Sequence, residues 1–410
     1  MASSELPLSL YVHVPFCVDK CLYCNFYSLP ARTVAEGIQE SVVNETIEQA
    51  RFFREALGND GPPQTVFMGG GTPSTLVRPL LSRMLSALGN PSCPEWTVEA
   101  NPESIDEEFL EICCGAGVTR ISAGVQSTND RHLRALRRTG SRRDIARAVG
   151  LLRRRWNADL NLDFIAGIPG QEPREVASDL ALLDELPASH VSLYSLTYEP
   201  GTPLERLVET GKVRPNSADR DEELWFAGVT ELRRRGYAHY EISNFCRPGK
   251  ECRHNLRYWR LEPYLGVGPS AVSTLPAAPI ARTLGRPELA EPGAVLRMTN
   301  PSDVHAFLLG RDSLWGARLE TVRPADFLVE TLMMGLRLEE GIPTAAFLRR
   351  FGSSFDEIFP GLWGSWVSQG VAHPAGDRLA MSDSGRMMLD GLLAAMPPEA
   401  KDRELRVRWP

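Results

Sequence analysis

Leu10-Tyr11-Val12-His13-Val14-Pro15-Phe16-Cys17 runs into a short loop that also carries Cys21 and Cys24. The apolar run Leu10–Val14 reads as a buried strand. Directly behind it, C-x3-C-x2-C sets three soft thiolate ligands close together, the usual ligand type for iron–sulfur clusters. Three thiolates leave a four-iron cluster one ligand short, so one iron stays open to a small chelating molecule. Zinc is the alternative, with His13 as the fourth ligand that a closed tetrahedral site requires.

Working outward, short apolar runs recur at Leu10–Val14, Val66–Met68, Trp96–Ala100, Thr119–Ala123, Leu160–Ile165 and Val191–Leu196, with helical patterns between them. The helices are expected over Glu40–Leu57, Leu76–Leu88, Ile105–Cys114, Asp144–Leu152 and Glu175–Leu186. Strand and helix alternating in this way predict an α/β fold with a parallel sheet. Near-continuous apolarity fits strands buried on both faces. Glycine-rich and polar segments collect just after these strands: Gly69-Gly70-Gly71-Thr72-Pro73, Asn101-Pro102-Glu103, Gly124-Val125-Gln126, Gly167-Ile168-Pro169-Gly170-Gln171 and Tyr198-Glu199-Pro200-Gly201. Strand C-termini are where β/α barrels and open α/β sheets build ligand sites. Six units predict a partial (β/α)6 barrel, open on one side.

The pattern changes near Leu204. A charged helix is expected around Asp221–Arg235 and a strand around Tyr240–Phe245, followed by a Pro-, Ala- and Gly-rich stretch through Pro292 that reads as irregular connection. Helices at Asp303–Leu309, Pro324–Leu338 and Thr344–Phe351, then helix, strand and helix at Leu362–Gln369, Arg378–Met381 and Ser384–Met396, predict a smaller, mainly helical, winged-helix-like C-terminal domain. The expected division is a core barrel over 1–240, a connecting region over 241–320 and the C-terminal domain over 321–410.

The 410 residues are 43% hydrophobic and 24% charged, a balance able to bury a substantial core, and the net charge of −7 gives no footprint for nucleic acid. The arginines between Arg131 and Arg155 read as a solvated helical face. Only ten residues precede Tyr11, too few for a signal or transit peptide, so a cytoplasmic protein is expected. No apolar run reaches the roughly 20 residues that span a bilayer. Membrane contact is therefore expected to be peripheral at most, and a homodimer is compatible with the sequence. Cys93, Cys113, Cys114, Cys246 and Cys252 are scattered and read as structural thiols.

Among the other chemistry-bearing residues, Gly70 and Gly71 let backbone approach a ligand without a Cβ in the way, with Thr72 beside them. Glu99, at the end of the third strand, can accept two hydroxyl donors. Gln126 can donate and accept. Asp163 is a charge within an apolar strand, which burial alone would disfavour, so a ligand or ion-pair role is expected. Arg138, or its neighbour Arg137, offers a planar fork to a carboxylate. Tyr11 and Tyr23 can lie against a cofactor or simply pack.

These motifs resemble the radical-SAM superfamily. More narrowly, Leu10–Cys17, Gly69–Ser74, Glu99–Glu103, Gly124–Ser127, Leu162–Gln171, Tyr194–Pro203 and Tyr264–Gly268 are similar to the anaerobic coproporphyrinogen III oxidases and their haem-chaperone relatives. The resemblance implies a 4Fe-4S cluster on Cys17, Cys21 and Cys24. It also implies S-adenosyl-L-methionine bound by Gly70, Gly71 and Thr72 at its amino group, by Glu99 at its ribose and by Arg138 at its carboxylate. Tyr11, Tyr23, Gln126 and Asp163 would complete that pocket. The oxidases carry a further cysteine two residues after the third, where this chain has Phe26. His254-Asn255-Leu256-Arg257-Tyr258-Trp259 matches the H-N-x-x-Y-W motif of the HemW haem chaperones, which implies haem as ligand, His254 as its candidate axial ligand, and a haem-accepting partner such as a respiratory haemoprotein. Departures occur at Arg137-Arg138-Thr139-Gly140, which lacks the relatives' histidine, and at Gly268-Pro269-Ser270-Ala271. Two other readings stay open: an oxygen-independent coproporphyrinogen III dehydrogenase, and a nucleic-acid modification enzyme with a winged-helix docking domain.

Overall fold

The computed structural model describes residues 7–59, 61–290, 293–396, 405 and 407–409. Six strands lie side by side in chain order: β1 (Ser9–Val14), β2 (Val66–Gly70), β3 (Trp96–Ala100), β4 (Arg120–Gln126), β5 (Asp159–Ala166) and β6 (His190–Ser195), all parallel. Their crossovers contain α1 (Ile38–Ala56), α2 (Arg78–Leu88), α3 (Glu107–Ala116), α4 (Arg142–Arg155) and α5 (Pro173–Leu180). Local chemistry starts these helices. Ser141 and Asp144 form a reciprocal capping box on α4, and the Asp106 side chain caps α3. In α1, Val42, Val43, Thr46, Gln49, Ala50 and Phe53 are buried, the spacing of a single helical face turned to the sheet.

The sheet is wider than the six-strand expectation. A hairpin of β7 (Ala238–His239) and β8 (Asn244–Cys246) pairs antiparallel with β6, and β9 (Tyr264–Val267) pairs parallel with β1 on the opposite side. Beyond β9, β10 (Val272–Pro276), β11 (Val295–Thr299) and β12 (Arg318–Val322) extend the sheet antiparallel. The resulting twelve-stranded order is β12-β11-β10-β9-β1-β2-β3-β4-β5-β6-β8-β7. The ends do not pair with one another, so the parallel portion is a partial barrel.

Two sequence expectations are corrected here. The stretch after Phe245 is regular for much of its length: it holds α7 (Arg253–Trp259), β9, β10 and the helix Ala277–Thr283. Its end, Glu291 and Pro292, lies outside the described residues. Periodicity missed β9 because a four-residue strand becomes recognisable only through its partner, here the strand about 250 positions earlier in the chain. Gln49 of α1 locks this return: its Oε1 accepts from Gly268 N at 2.9 Å and from Asn300 Nδ2 at 3.1 Å. Of the expected strand Tyr240–Phe245, only Asn244 and Phe245 are strand, at the start of β8, and Tyr240–Ser243 is the bend of the hairpin. Glu241 turns the chain there by accepting from Ser243 N at 3.0 Å and from Asn244 Nδ2.

The C-terminal helices α8 (Pro324–Gly335), α9 (Thr344–Phe351), α10 (Leu362–Ser368) and α11 (Asp383–Ala394) share a second apolar core with the pair Ile342–Pro343 and Arg378–Leu379. Phe347, Phe355, Trp363 and Trp366 form its aromatic centre, with ring centroids 5.4–6.1 Å from Phe355. No described helix is long and apolar enough to cross a membrane.

Candidate functional site

A cavity of about 330 Å³ opens at the C-terminal ends of β2 to β6 and is roofed by the cysteine loop. Its wall brings together Cys17, Cys21, Cys24, Tyr23, Gly70, Gly71, Thr72, Glu99, Gln126, Arg138 and Asp163, which lie up to 146 residues apart in sequence between Cys17 and Asp163. Parallel strands ending on one face are what draw them together.

The three cysteines are half-buried thiols. Burial pushes the Cys17 thiol up, opposed by a hydrogen bond with Thr72 Oγ1 at 3.6 Å, and pushes Cys24 up to about 11. Ligation of a metal centre by these groups would displace protons. The Arg138 guanidinium donates to Cys21 Sγ at 3.6 Å. The same fork is anchored by Asn101 Oδ1 at 2.8 Å and by the Gly124 carbonyl at 2.7 Å. Arg137, the alternative in sequence, is exposed and faces Asp19 at 3.4 Å.

The zinc alternative loses its fourth ligand. His13 Nε2 donates to the Tyr27 carbonyl at 2.9 Å, and Nδ1 accepts from the Tyr11 hydroxyl at 3.0 Å. Both ring nitrogens are occupied, and burial lowers the imidazole's proton affinity. Among the described residues, no three His, Cys, Asp or Glu side chains converge on one ion-sized point. Three separated thiols around a cavity suit a polynuclear cluster better than a single ion.

Glycine is required at this wall. A Cβ on Gly69 would meet the Glu99 carboxyl at 2.7 Å, one on Gly71 would meet the Val14 carbonyl at 2.6 Å, and one on Gly70 would collide with the His13 ring. Gly70 also has φ +97°, a conformation that strains other residues. Gly70→Ala is expected to cost about 2 kcal/mol or more by displacing His13, measurable as a lowered unfolding midpoint. An unchanged midpoint would show that the loop absorbs the clash.

Two carboxyls face one another across the cavity. Burial, with the Asp163 charge as a second cause, pushes Glu99 up to about 8, while the Gly70 N–H at 3.3 Å works against the shift. Burial also raises Asp163, which is partly held back by hydrogen bonds from Ser192, Asn161 and Ser122. Such a pair favours a cationic ligand. Gln126 reaches the wall through a register shift between β4 and β5 and takes φ +65°, so a bulge re-aims its side chain.

Sequence reasoning missed the residues that support this pair. Asn161 Nδ2 donates to Asp163 Oδ1 at 2.8 Å and to Ser122 Oγ at 2.8 Å, and its Oδ1 faces His190 Nδ1 at 2.7 Å. His190 Nε2 continues to Tyr240 at 2.8 Å. The available signal was the period of two that sets Asn161 and Asp163 on one strand face. Tyr194, on the cavity wall, carried no such signal.

Two expected site residues stand elsewhere. Tyr11 is not on the wall: its hydroxyl is engaged by His13 and its ring stacks near Phe67 at 6.4 Å. His254 is fully buried, with Nδ1 2.7 Å from Thr65 Oγ1 and Nε2 2.8 Å from the Tyr258 hydroxyl, so neither ring nitrogen is free for iron. The start of its helix is capped by buried Glu95, which accepts from Arg253 N at 2.9 Å and His254 N at 2.8 Å. In this geometry the H-N-x-x-Y-W segment ties α7 to β2 and β3. His254→Ala should strand two hydroxyls and open a void, at about 2–4 kcal/mol, read as a lower Tm with cluster content per folded chain retained. An unaltered Tm would contradict the packing role.

Residues 11–183 match the Radical SAM superfamily and residues 322–388 the HemN C-terminal domain. The chain is 30% identical to the Heme chaperone HemW of Lactococcus lactis, across 93% of this chain and 95% of that one, and 32% identical to that of Escherichia coli across 94% and 97%. It is 31% identical to the mitochondrial Radical S-adenosyl methionine domain-containing protein 1 of Mus musculus over 98% of this chain and 89% of that one. Among solved structures, coproporphyrinogen III oxidase (HemN) from Escherichia coli superposes with a TM-score of 0.75 at 20% identity, covering 95% of this chain and 90% of that one, a likeness of fold. On sequence identity held along nearly its whole length, the chain belongs to the radical SAM superfamily and, within it, to the family of HemW heme chaperones.

Proposed function

We propose that this protein is a cytoplasmic haem chaperone that carries a 4Fe-4S cluster and S-adenosyl-L-methionine, binds haem and passes it to an acceptor such as a respiratory haemoprotein. The observation that supports it most is a complete three-thiol cavity in a chain that matches heme chaperones along 93% of its length. At the mouth of that cavity Phe26 is 63% exposed, so hydrocarbon stands where the related oxidases carry a further thiol.

In this reading Cys17, Cys21 and Cys24 hold three irons of the cluster. When bound, cluster and S-adenosylmethionine together would supply reductive sulfonium cleavage. Arg138 neutralises thiolate charge at Cys21 and presents its fork to the methionine carboxylate. Gly70, Gly71 and Thr72 receive the amino group, and Glu99, once ionised, accepts the ribose hydroxyls. Gln126 and Asp163 set the polar floor, with Asp163 held in one rotamer by Asn161 and Ser122. Tyr23 covers the cavity beside the thiols.

The test uses anaerobically reconstituted protein in two arms, one with haem and one with coproporphyrinogen III, S-adenosylmethionine and a reductant. Stoichiometric haem binding without protoporphyrinogen is the expected result. Sustained turnover to protoporphyrinogen would replace the chaperone reading with the dehydrogenase.

A further inference from the structure

A second cavity, of about 500 Å³, lies between α6 (Ala218–Arg234), the β7–β8 hairpin and α11. It meets the cofactor cavity at Ser195, which lines both. Nothing in the cluster or S-adenosylmethionine chemistry uses it. Between charged residues its wall exposes the apolar side chains Trp225, Phe226, Ile242 and Met387, Met387 being 75% exposed. Large apolar side chains left open in one concave place mark a binding site for something flat or bulky.

The polar groups in the groove are specific. His239 lies flat on Phe245, with ring centroids 4.2 Å apart and planes 9° apart. Its Nε2 is 3.1 Å from the Ile242 carbonyl. A carbonyl only accepts, so Nε2 carries the hydrogen and Nδ1 carries the lone pair. Nδ1 has no partner among the described residues. An imidazole oriented by a backbone carbonyl through one nitrogen, with the other open, is the arrangement of a metal-ligating histidine. Burial lowers the proton affinity of His239, which keeps that lone pair available at neutral pH. Arg233, on the same wall, has a guanidinium without ion pair or hydrogen bond among the described residues. Several carboxylates of the groove are already engaged: Asp383 by Arg386, Asp221 by Asn216 at 2.8 Å and Glu241 by Ser243 and Asn244.

We propose that this groove seats the haem, with His239 Nδ1 as an axial ligand to its iron, the apolar wall against the macrocycle and Arg233 toward a propionate. This rests on the haem-chaperone reading and assigns its ligand a place that His254 does not offer. An iron tetrapyrrole with its propionates uses the lone pair, the apolar wall and the unpaired cation together.

The test is a haem titration of the full-length, cluster-loaded protein followed by absorption and electron paramagnetic resonance. It compares wild type with His239→Ala, His239→Gln and Arg233→Ala. Glutamine can still donate to the Ile242 carbonyl, so it preserves the hairpin while removing the imidazole. Both His239 variants are expected to lose the histidine-ligated spectrum and at least about tenfold in haem affinity, with added imidazole restoring the spectrum. Metal-free protoporphyrin IX, which needs no axial ligand, should bind His239→Gln as it binds wild type, while Arg233→Ala should weaken both porphyrins. A wild-type haem spectrum in His239→Gln would overturn the seat and leave the chaperone reading standing. A wild-type protein that takes up no haem would overturn the chaperone reading itself.

Discussion

Cys21→Ala removes the cluster. The two remaining loop thiols cannot hold a four-iron centre, and no other cysteine is placed to replace the third: Cys93, Cys113, Cys246 and Cys252 are buried, and Cys114 is exposed on α3 away from the cavity. After anaerobic reconstitution, iron should fall from about four atoms per chain to background, with acid-labile sulfide and the broad visible absorption lost in parallel. The fold should persist, because Cys21 is only half-buried in the loop and its hydrogen-bond partner Arg138 keeps its anchors on Asn101 and Gly124. Circular dichroism and the unfolding midpoint check that point. A variant that still loads a full cluster would refute the ligand assignment.

The second large effect is a pH dependence of S-adenosylmethionine affinity set by Glu99. In the free protein burial holds this carboxyl protonated up to about pH 8, yet it must be ionised to accept two ribose hydroxyls. Ligand binding therefore releases a proton, and affinity should climb by up to about tenfold per pH unit on the way to pH 8 and level off above it. Glu99→Gln should bind about a hundredfold more weakly at pH 8, since charge-assisted hydrogen bonds contribute about 1.5–3 kcal/mol each, and should show a much flatter profile. The sign for stability runs the other way. The pKa of Glu99 is raised from 4.5 in the fold, so its contribution is fully present below pH 4.5 and is lost as pH rises through about 8. A steep affinity profile in Glu99→Gln would place the titrating group elsewhere, with Asp163 the next carboxyl to test.

The histidines His254 and His239 are where sequence and structure part most clearly. A motif such as His254-Asn255-Leu256-Arg257-Tyr258-Trp259 reveals that residue types recur together, and an imidazole beside two aromatics is as suitable for packing as for a porphyrin. Hydrogen-bond saturation decides between them: Thr65 and Tyr258 take both nitrogens of His254, whereas Ile242 takes only one of His239. His239 sits in Tyr237-Ala238-His239-Tyr240 with no spacing to distinguish it, and it becomes notable only when Trp225 and Met387, from distant elements, line the same groove. Tyr11 shows the same limit. Its strand position was readable, but which neighbour its hydroxyl meets depends on the His13 rotamer.

Local physics lets the sequence by itself determine the six parallel strands, their crossover helices and the three-thiol loop, because apolar period, capping residues and cysteine spacing act over a few residues. The topology rule that parallel strands present their C-termini on one face then gathers Gly70, Glu99, Gln126 and Asp163, whereas the choice of Arg138 over Arg137 needed the structure. Only the tertiary structure decided the seventh parallel strand Tyr264–Val267, the Asn161–His190 network behind Asp163, and that His239 keeps a ring nitrogen without a partner among the described residues where His254 keeps none. Each of these depends on partners far along the chain, and a hydrogen bond between distant residues leaves no period in the sequence that encodes it.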